Sequence, residues 1–325
     1  MALRSYLRRL LNSNELKAII TEVDCDLEIA EICRSEFSSA GGGKAIIFET
    51  VKGTPVRVGA NLFGSKERLL RMLEVDEAGL ITLLRTLIHS GVDNAATNLT
   101  NACRLSSIEY TEPEYQYQEL TLKEIPALRS WPQENDRYLT LALTHSVSLA
   151  NGVSNLGLYR AAVVGDREIA LNFAPGSGAD NHLQIAEARG EPLPVALILG
   201  ADPALFWAAA APLPTGCNEY GFTGAIIGRP VTLSSCLTQP LSVPANAEIL
   251  IEGEIRPGER VSEGPFGNHT GQYVSRADCP LMRITAIRHR IQPIIPATVV
   301  GPPPNENIYL AKLNELLLRE MLTFD

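Results

Sequence analysis

The chain has 325 residues, 45% of them hydrophobic, enough to bury a substantial core in one large domain or two smaller ones. A net charge of −9, a pI near 5.2 and the lack of any basic stripe exclude a dominant nucleic-acid role, because phosphate binding needs a concentrated basic surface. No run reaches the roughly 18 to 20 consecutive apolar residues of a membrane span; the richest, residues 194–212, is cut by Gly200, Asp202 and Pro203.

The opening residues carry apolar positions at helical spacing with no cleavage pattern after them. They predict an amphipathic helix, not a targeting peptide, and a cytoplasmic protein. A strand is expected over 17–23, a helix over 27–37, short strands over 45–49 and 56–59, and helices over 65–73 and 77–89. The glycines at 41–43 lack a Gly-Lys-Ser/Thr ending and precede a strand, so they read as a loop and not a phosphate cradle. Residues 106–135, with Pro113, Pro126 and Pro132, read as an extended connector.

From Tyr138 onward the pattern is mostly β. Residues 158–164 and 168–173 form an expected hairpin about Gly165 and Asp166, and 248–255 alternate as a half-buried strand. Between them lie a helix over 181–189, a buried strand over 194–199, and a helix entered at Asp202, a good cap, and Pro203, a good first residue. Strands mixed with a few helices point to a mixed sheet or barrel with helical cover. The last segment, 305–324, carries Leu310, Leu313, Leu317 and Met321 at helical spacing, widened by Leu316, Leu318 and Leu322. So broad an apolar face requires a cover from another subunit or a downstream region. The six cysteines form no CxxC pair, which predicts reduced structural thiols.

The segment 263–273, Glu-Gly-Pro-Phe-Gly-Asn-His-Thr-Gly-Gln-Tyr, joins an acid, permissive glycines, a φ-locking proline and a histidine, as a loop that aims side chains at a ligand would. With it go Asn155-Leu156-Gly157-Leu158-Tyr159-Arg160, His182 ahead of Gly190 and Pro194, and Ala209 to Pro214 leading to Asn218-Glu219-Tyr220. Through these, and through Asn61-Leu62-Phe63-Gly64-Ser65, Trp131-Pro132 and Gly301-Pro302-Pro303, the chain resembles the UbiD family of (de)carboxylases, which use prenylated FMN. The branch it most resembles is the 3-octaprenyl-4-hydroxybenzoate carboxy-lyases.

The resemblance implies an α+β fold: a split β-barrel flavin-binding domain, flavin-reductase-like, at 106–304, preceded by a small α/β region at 1–105 and followed by a linker helix at 305–325. It implies non-oxidative, reversible decarboxylation of an aromatic or α,β-unsaturated acid, with Arg160 on the carboxylate and Glu263 moving the proton. Asn155, His182 and Glu219 would hold Mn²⁺ or Mg²⁺, a set suited to a hard cation, with K⁺ beside it. Leu158, Tyr159, Arg160, Asn181, His182, Ala210, Ala211 and Pro212 would contact the cofactor. A flavin prenyltransferase would supply that cofactor, and the chain would assemble as a homo-oligomer or with a partner subunit.

Two departures stand out. The family's next acidic position, five residues after Glu263, is Asn268 here, and an amide cannot donate a proton reversibly, so Glu263, His269 or a water must do so. Family members also continue into a C-terminal domain, whereas this sequence ends at Asp325. A catalytically silent flavin-binding subunit and a flavin reductase are the alternative readings.

Overall fold

The computed structural model describes residues 2–89, 91, 93–106, 108–112 and 120–324; Pro113, within the expected connector, lies outside them. The first part of the chain forms α1 (Leu3–Asn12), β1 (Leu16–Ile19), α2 (Glu28–Phe37), β2 (Ala45–Phe48), β3 (Arg57–Ala60), α3 (Lys66–Leu73), α4 (Glu77–His89), α5 (Ala95–Leu105) and β4 (Ile108–Tyr110). Then come β5 (Arg137–Leu139), β6 (Leu143–Val147), β7 (Ser154–Leu158), β8 (Arg160–Gly165), β9 (Glu168–Asn172), α6 (Gly178–Arg189), β10 (Leu193–Leu199), α7 (Ala204–Ala210) and α8 (Glu219–Ile227). The chain closes with β11 (Val231–Ser235), β12 (Ser242–Pro244), β13 (Ile249–Gly267), β14 (Tyr273–His289), β15 (Ile294–Ala297) and α9 (Asn307–Phe324).

The principal sheet is antiparallel throughout and runs β5-β8-β9-β14-β13-β10-β6-β7. Strands β7 and β8 stand near opposite ends of that order yet are joined by Tyr159 alone. Laid flat, they would be about 29 Å apart at the usual strand spacing, and one linking residue spans only about 7 Å. The sheet therefore curls until its two ends meet at Tyr159. A second sheet, β1-β2-β3-β15, takes its last strand from the far end of the chain, parallel to β3. The third, β12-β11-β4, ties the segment after α5 to the one after α8.

Both faces of the curled sheet are covered. On β13, Leu250 joins the core under α7, α8 and α9, while Ile249 and Ile251 face the core beneath α2 and α6. The expected half-buried strand is thus buried on both sides, and its glutamates are neutralised instead of solvated. Glu252 meets Arg288 at 2.7 Å and accepts the amides of Leu237 and Thr238, and Glu248 meets Arg4 at 2.6 Å. The apolar stripe of α9 is also largely covered from within. Leu310, Leu313 and Leu317 are buried as α9 packs on α3, α4, α5 and α7, leaving Leu318 and Leu322 at 42% and 77% exposure.

Two other expectations are corrected, and one helix is added. Cys103 and Cys217 are bonded to each other, because α5 packs on α8 and brings together thiols 114 residues apart; Cys25, Cys33, Cys236 and Cys279 are free. Helix α6 begins at Gly178, capped by Ser177, so His182 sits in its second turn and not at its start. Helix α5, capped by Asn94 whose side chain accepts the Thr97 amide at 2.9 Å, was not anticipated. Among the described residues, no helix is long and apolar enough to cross a membrane.

Candidate functional site

Glu263 lies on a strand, not in the expected loop. Strand β13 continues to Gly267 and the chain turns only over 268–271. Register shifts on either side of Glu263 break the β13–β14 ladder, and Gly264 takes φ 99°, open to glycine and costly for other residues. Such bulges re-aim a side chain; here the Glu263 carboxylate turns inward, fully buried, and pairs with Arg160 at the start of β8.

Four neighbouring strands contribute to one polar row. Arg160 of β8 faces Asn172 of β9, and Arg276 of β14 faces Glu263 of β13. Glu263 Oε1 accepts from Arg160 and from Asn172 Nδ2 at 2.8 Å, while Oε2 accepts from the Tyr138 phenol at 3.2 Å. Arg276 donates to Asn172 Oδ1 at 3.2 Å and to the Phe173 carbonyl at 2.6 Å. The Arg160 guanidinium lies 4.5 Å from the Phe266 ring centre, and Tyr138 meets that ring edge-on at 4.7 Å. Arg160 Nε is buried without a partner among the described residues, a donor left over for an incoming anion. Burial, reinforced by Glu263, pushes the Tyr138 phenol well above its ordinary range and keeps it a proton donor.

Beyond the Tyr159 corner, the second half of the site gathers on β6 and β7. Ser146 faces Asn155 across the two strands and bonds His182 Nδ1 at 2.9 Å, placing α6 over that pair. The approach is close: a Cβ on Gly178 would fall 2.0 Å from Asn155 Oδ1, so a side chain there would displace the Asn155 amide from this orientation. Strand β7 is a sheet edge with one flank unpaired, and the Glu219 carboxylate at the start of α8 lies near enough to it for the Leu156 amide to pull its pKa down. Glu219 Oε2 is buried with no partner among the described residues, and burial pushes the carboxyl up to about 7, opposed by the amides of Glu219 and Leu156. Burial lowers His182, and it lowers the neighbouring His145 to about 4. Asn218 caps α8 and donates to Ser154 on β7, which fixes Glu219 against the strand.

The structure thus brings Arg160 to Glu263, and Asn155, His182 and Glu219 to the β6–β7 edge. Tyr159 joins the two groups, its hydroxyl 3.4 Å from Asn155 Nδ2 and its ring 4.9 Å from Phe173. Leu158 ends β7; Ala210 ends α7, which packs on β7, and Ala211 and Pro212 follow it. Asn181 is exposed and bonds the Gly176 carbonyl at 3.3 Å. Asn268 and His269 stand apart at the hairpin turn: Asn268 Oδ1 accepts from Thr270 N, Thr270 Oγ1 and Gln272 N, and His269 is exposed. Tyr138, Asn172, Arg276 and Ser146 were missed by sequence reasoning. Their one signal was a polar residue inside a strand-like run. Among the described residues, no three His, Cys, Asp or Glu side chains cluster as a metal site; the β6–β7 set contains an asparagine.

The chain, with its curled antiparallel sheet, belongs to the UbiD family. Residues 106–303 match the 3-octaprenyl-4-hydroxybenzoate carboxy-lyase Rift-related domain, and residues 7–88 match the corresponding N-terminal domain. An uncharacterized protein of Aquifex aeolicus is 33% identical, the match covering 99% of this chain and 69% of that protein. An evolved dimeric form of the UbiD-class enzyme HmfF from Pelotomaculum thermopropionicum, in complex with prFMN, aligns at TM-score 0.83 and 27% identity over 99% of this chain and 72% of that one. Vanillic acid decarboxylase of Sedimentibacter hydroxybenzoicus, in closed form, aligns at TM-score 0.85 and 27% identity over 96% and 67%.

Proposed function

We propose that the chain catalyses non-oxidative decarboxylation of an aromatic or α,β-unsaturated acid with prenylated FMN, on a split β-barrel of the flavin-reductase-like kind at 106–304, between an N-terminal region at 1–105 and a linker helix at 305–325. The observation that carries this reading is the half-buried Arg160, its Nη2 on the buried Glu263 and its own buried Nε–H unspent. A planar guanidinium so placed pairs with a substrate carboxylate, and the water-poor setting strengthens that pairing. Glu263, held beside it, is the group positioned to carry the proton that replaces CO₂. Phe266 and Tyr138 supply an apolar wall that excludes water from the pair.

The donor set of Asn155, His182 and Glu219 fits a hard divalent cation, Mn²⁺ or Mg²⁺, because the orphaned Glu219 oxygen needs a positive partner. Through that cation and through Leu158, Tyr159, Ala210, Ala211 and Pro212 the chain would hold the flavin. When bound, the flavin supplies the electron sink for the carbon that loses CO₂, and the protein supplies orientation and electrostatics. The substrate class is hydroxybenzoates, following the Phe-Gly-x-His-Thr-Gly pattern at 266–271. The test is co-expression with a flavin prenyltransferase, mass spectrometry of the bound pigment, and CO₂ release from a hydroxybenzoate panel. Plain-FMN-dependent oxidation of NAD(P)H with no CO₂ release would replace this reading with a flavin reductase.

A further inference from the structure

We propose that Asn172 is a positioning residue for Glu263, and that Arg276, whose side-chain hydrogen bonds among the described residues go to Asn172, Phe173 and Asp278 and not to Glu263, sets which way the Asn172 amide faces. An asparagine amide presents an acceptor on one side and donors on the other, and in isolation either orientation is available. Here Asn172 sits between a carboxylate and a guanidinium. Its Nδ2 lies 2.8 Å from Glu263 Oε1, and its Oδ1 lies 3.2 Å from Arg276 Nη1. Turned over, the amide would set oxygen against carboxylate and N–H against guanidinium, two repulsive contacts in place of two bonds.

Arg276 cannot accept a hydrogen bond, so it enforces the observed orientation. It is itself fixed, by the Phe173 carbonyl at 2.6 Å and by Asp278 at 3.0 Å. The consequence falls on Glu263. Oε1 receives two N–H donors, from Arg160 and Asn172, which fixes the plane of the carboxylate and leaves Oε2, facing the Tyr138 phenol, as the oxygen that takes up and releases a proton. Functionally this rests on the reading of Glu263 as the proton carrier; structurally it does not.

The test uses the full chain with side-chain ¹³C-labelled glutamate, the Glu263 carboxyl resonance being identified by its loss in Glu263→Gln. Asn172→Leu should move that resonance, and Arg276→Gln should move it in the same direction although the Arg276 guanidinium bonds Asn172 and not the Glu263 carboxylate. The double variant should move it no further than the larger single change. With a substrate that turns over, each single variant should lower kcat by about tenfold to a hundredfold, the range for a lost hydrogen bond to a charged group, with KM changed less than about threefold. Arg276→Lys, which keeps a donor for Asn172 Oδ1, should recover part of kcat. Asn172→Ser serves where the leucine variant does not fold. An unmoved resonance in Arg276→Gln overturns the proposal whatever the activity. Shifted resonances in a protein that releases no CO₂ uphold the positioning and sink the decarboxylase reading instead.

Discussion

The buried carboxyl of Glu219 lends itself to an energetic test that needs no substrate. Burial lifts its pKa from 4.5 to about 7, against the opposing pull of the Glu219 and Leu156 amides. At about 1.4 kcal/mol per pH unit, that displacement amounts to about 3 kcal/mol. The folded state holds the proton more tightly than the unfolded chain, so the stability this provides is fully present below pH 4.5 and is lost as pH rises through about 7. Glu219→Gln is neutral at every pH and has nothing to lose. Relative to the native chain without metal, the variant should therefore gain stability with rising pH, reaching about 3 kcal/mol near pH 8. Mn²⁺ at a hundred times its dissociation constant should return about 2.7 kcal/mol to the native chain, and far less to the variant. Urea unfolding across that pH range, with and without Mn²⁺, measures both. Parallel curves for the two proteins at every pH, or equal stabilisation by Mn²⁺, would refute the argument that Glu219 is a desolvated carboxylate waiting for a cation.

Reducing the Cys103–Cys217 bond, which closes a loop across 114 residues, removes about 4.8 kcal/mol by the chain-entropy relation. A thermal midpoint unchanged by reductant would contradict this. Leu317→Ala, at a fully buried position on α9, should cost about 2 to 5 kcal/mol, whereas Leu322→Ala at 77% exposure should stay within about 0.5 kcal/mol in denaturant titration. Burial raises the Glu306 carboxyl, despite the Phe63 amide and Arg68. The raised folded pKa means stability is lost as pH rises above the ordinary carboxyl range, so Glu306→Gln should gain on the native chain with rising pH, and an unchanged difference would refute it.

The local elements were legible where a single period governs them. Helices α2, α3 and α4 and strands β2, β3 and β10 fall within a residue or two of their expected bounds. What the sequence could not show was which faces the fold covers. Glu248, Glu252 and Glu254 look like a solvated face until Arg4, Arg288 and the 236–239 segment are placed against the first two. Cys103 and Cys217 look like spare thiols until α5 meets α8. The Arg160–Glu263 meeting was anticipated through family resemblance alone, since nothing local links residues 103 positions apart. Its supports, Asn172, Arg276 and Tyr138, are ordinary polar residues in strands, and only sheet order sets them side by side.

Asn268 occupies the position where the family resemblance implies an acid, and its surroundings give a physical reason to read it as a turn former. Its Oδ1 accepts three hydrogen bonds inside the β13–β14 turn, a task a carboxylate oxygen performs equally well. Asn268→Asp should therefore fold, and it restores a titratable group without disturbing the hairpin. If the proton returns through Glu263, whose Oε2 already faces the Tyr138 phenol at 3.2 Å, the new acid adds nothing and the rate of solvent deuterium incorporation into product stays within about twofold. If instead the chain is slow because an acid is missing at that turn, the substitution should accelerate turnover by about a hundredfold or more, the usual yield of a positioned general acid. A gain of that size would show that Asn268 marks a lost function, and that Glu263 alone does not carry the proton.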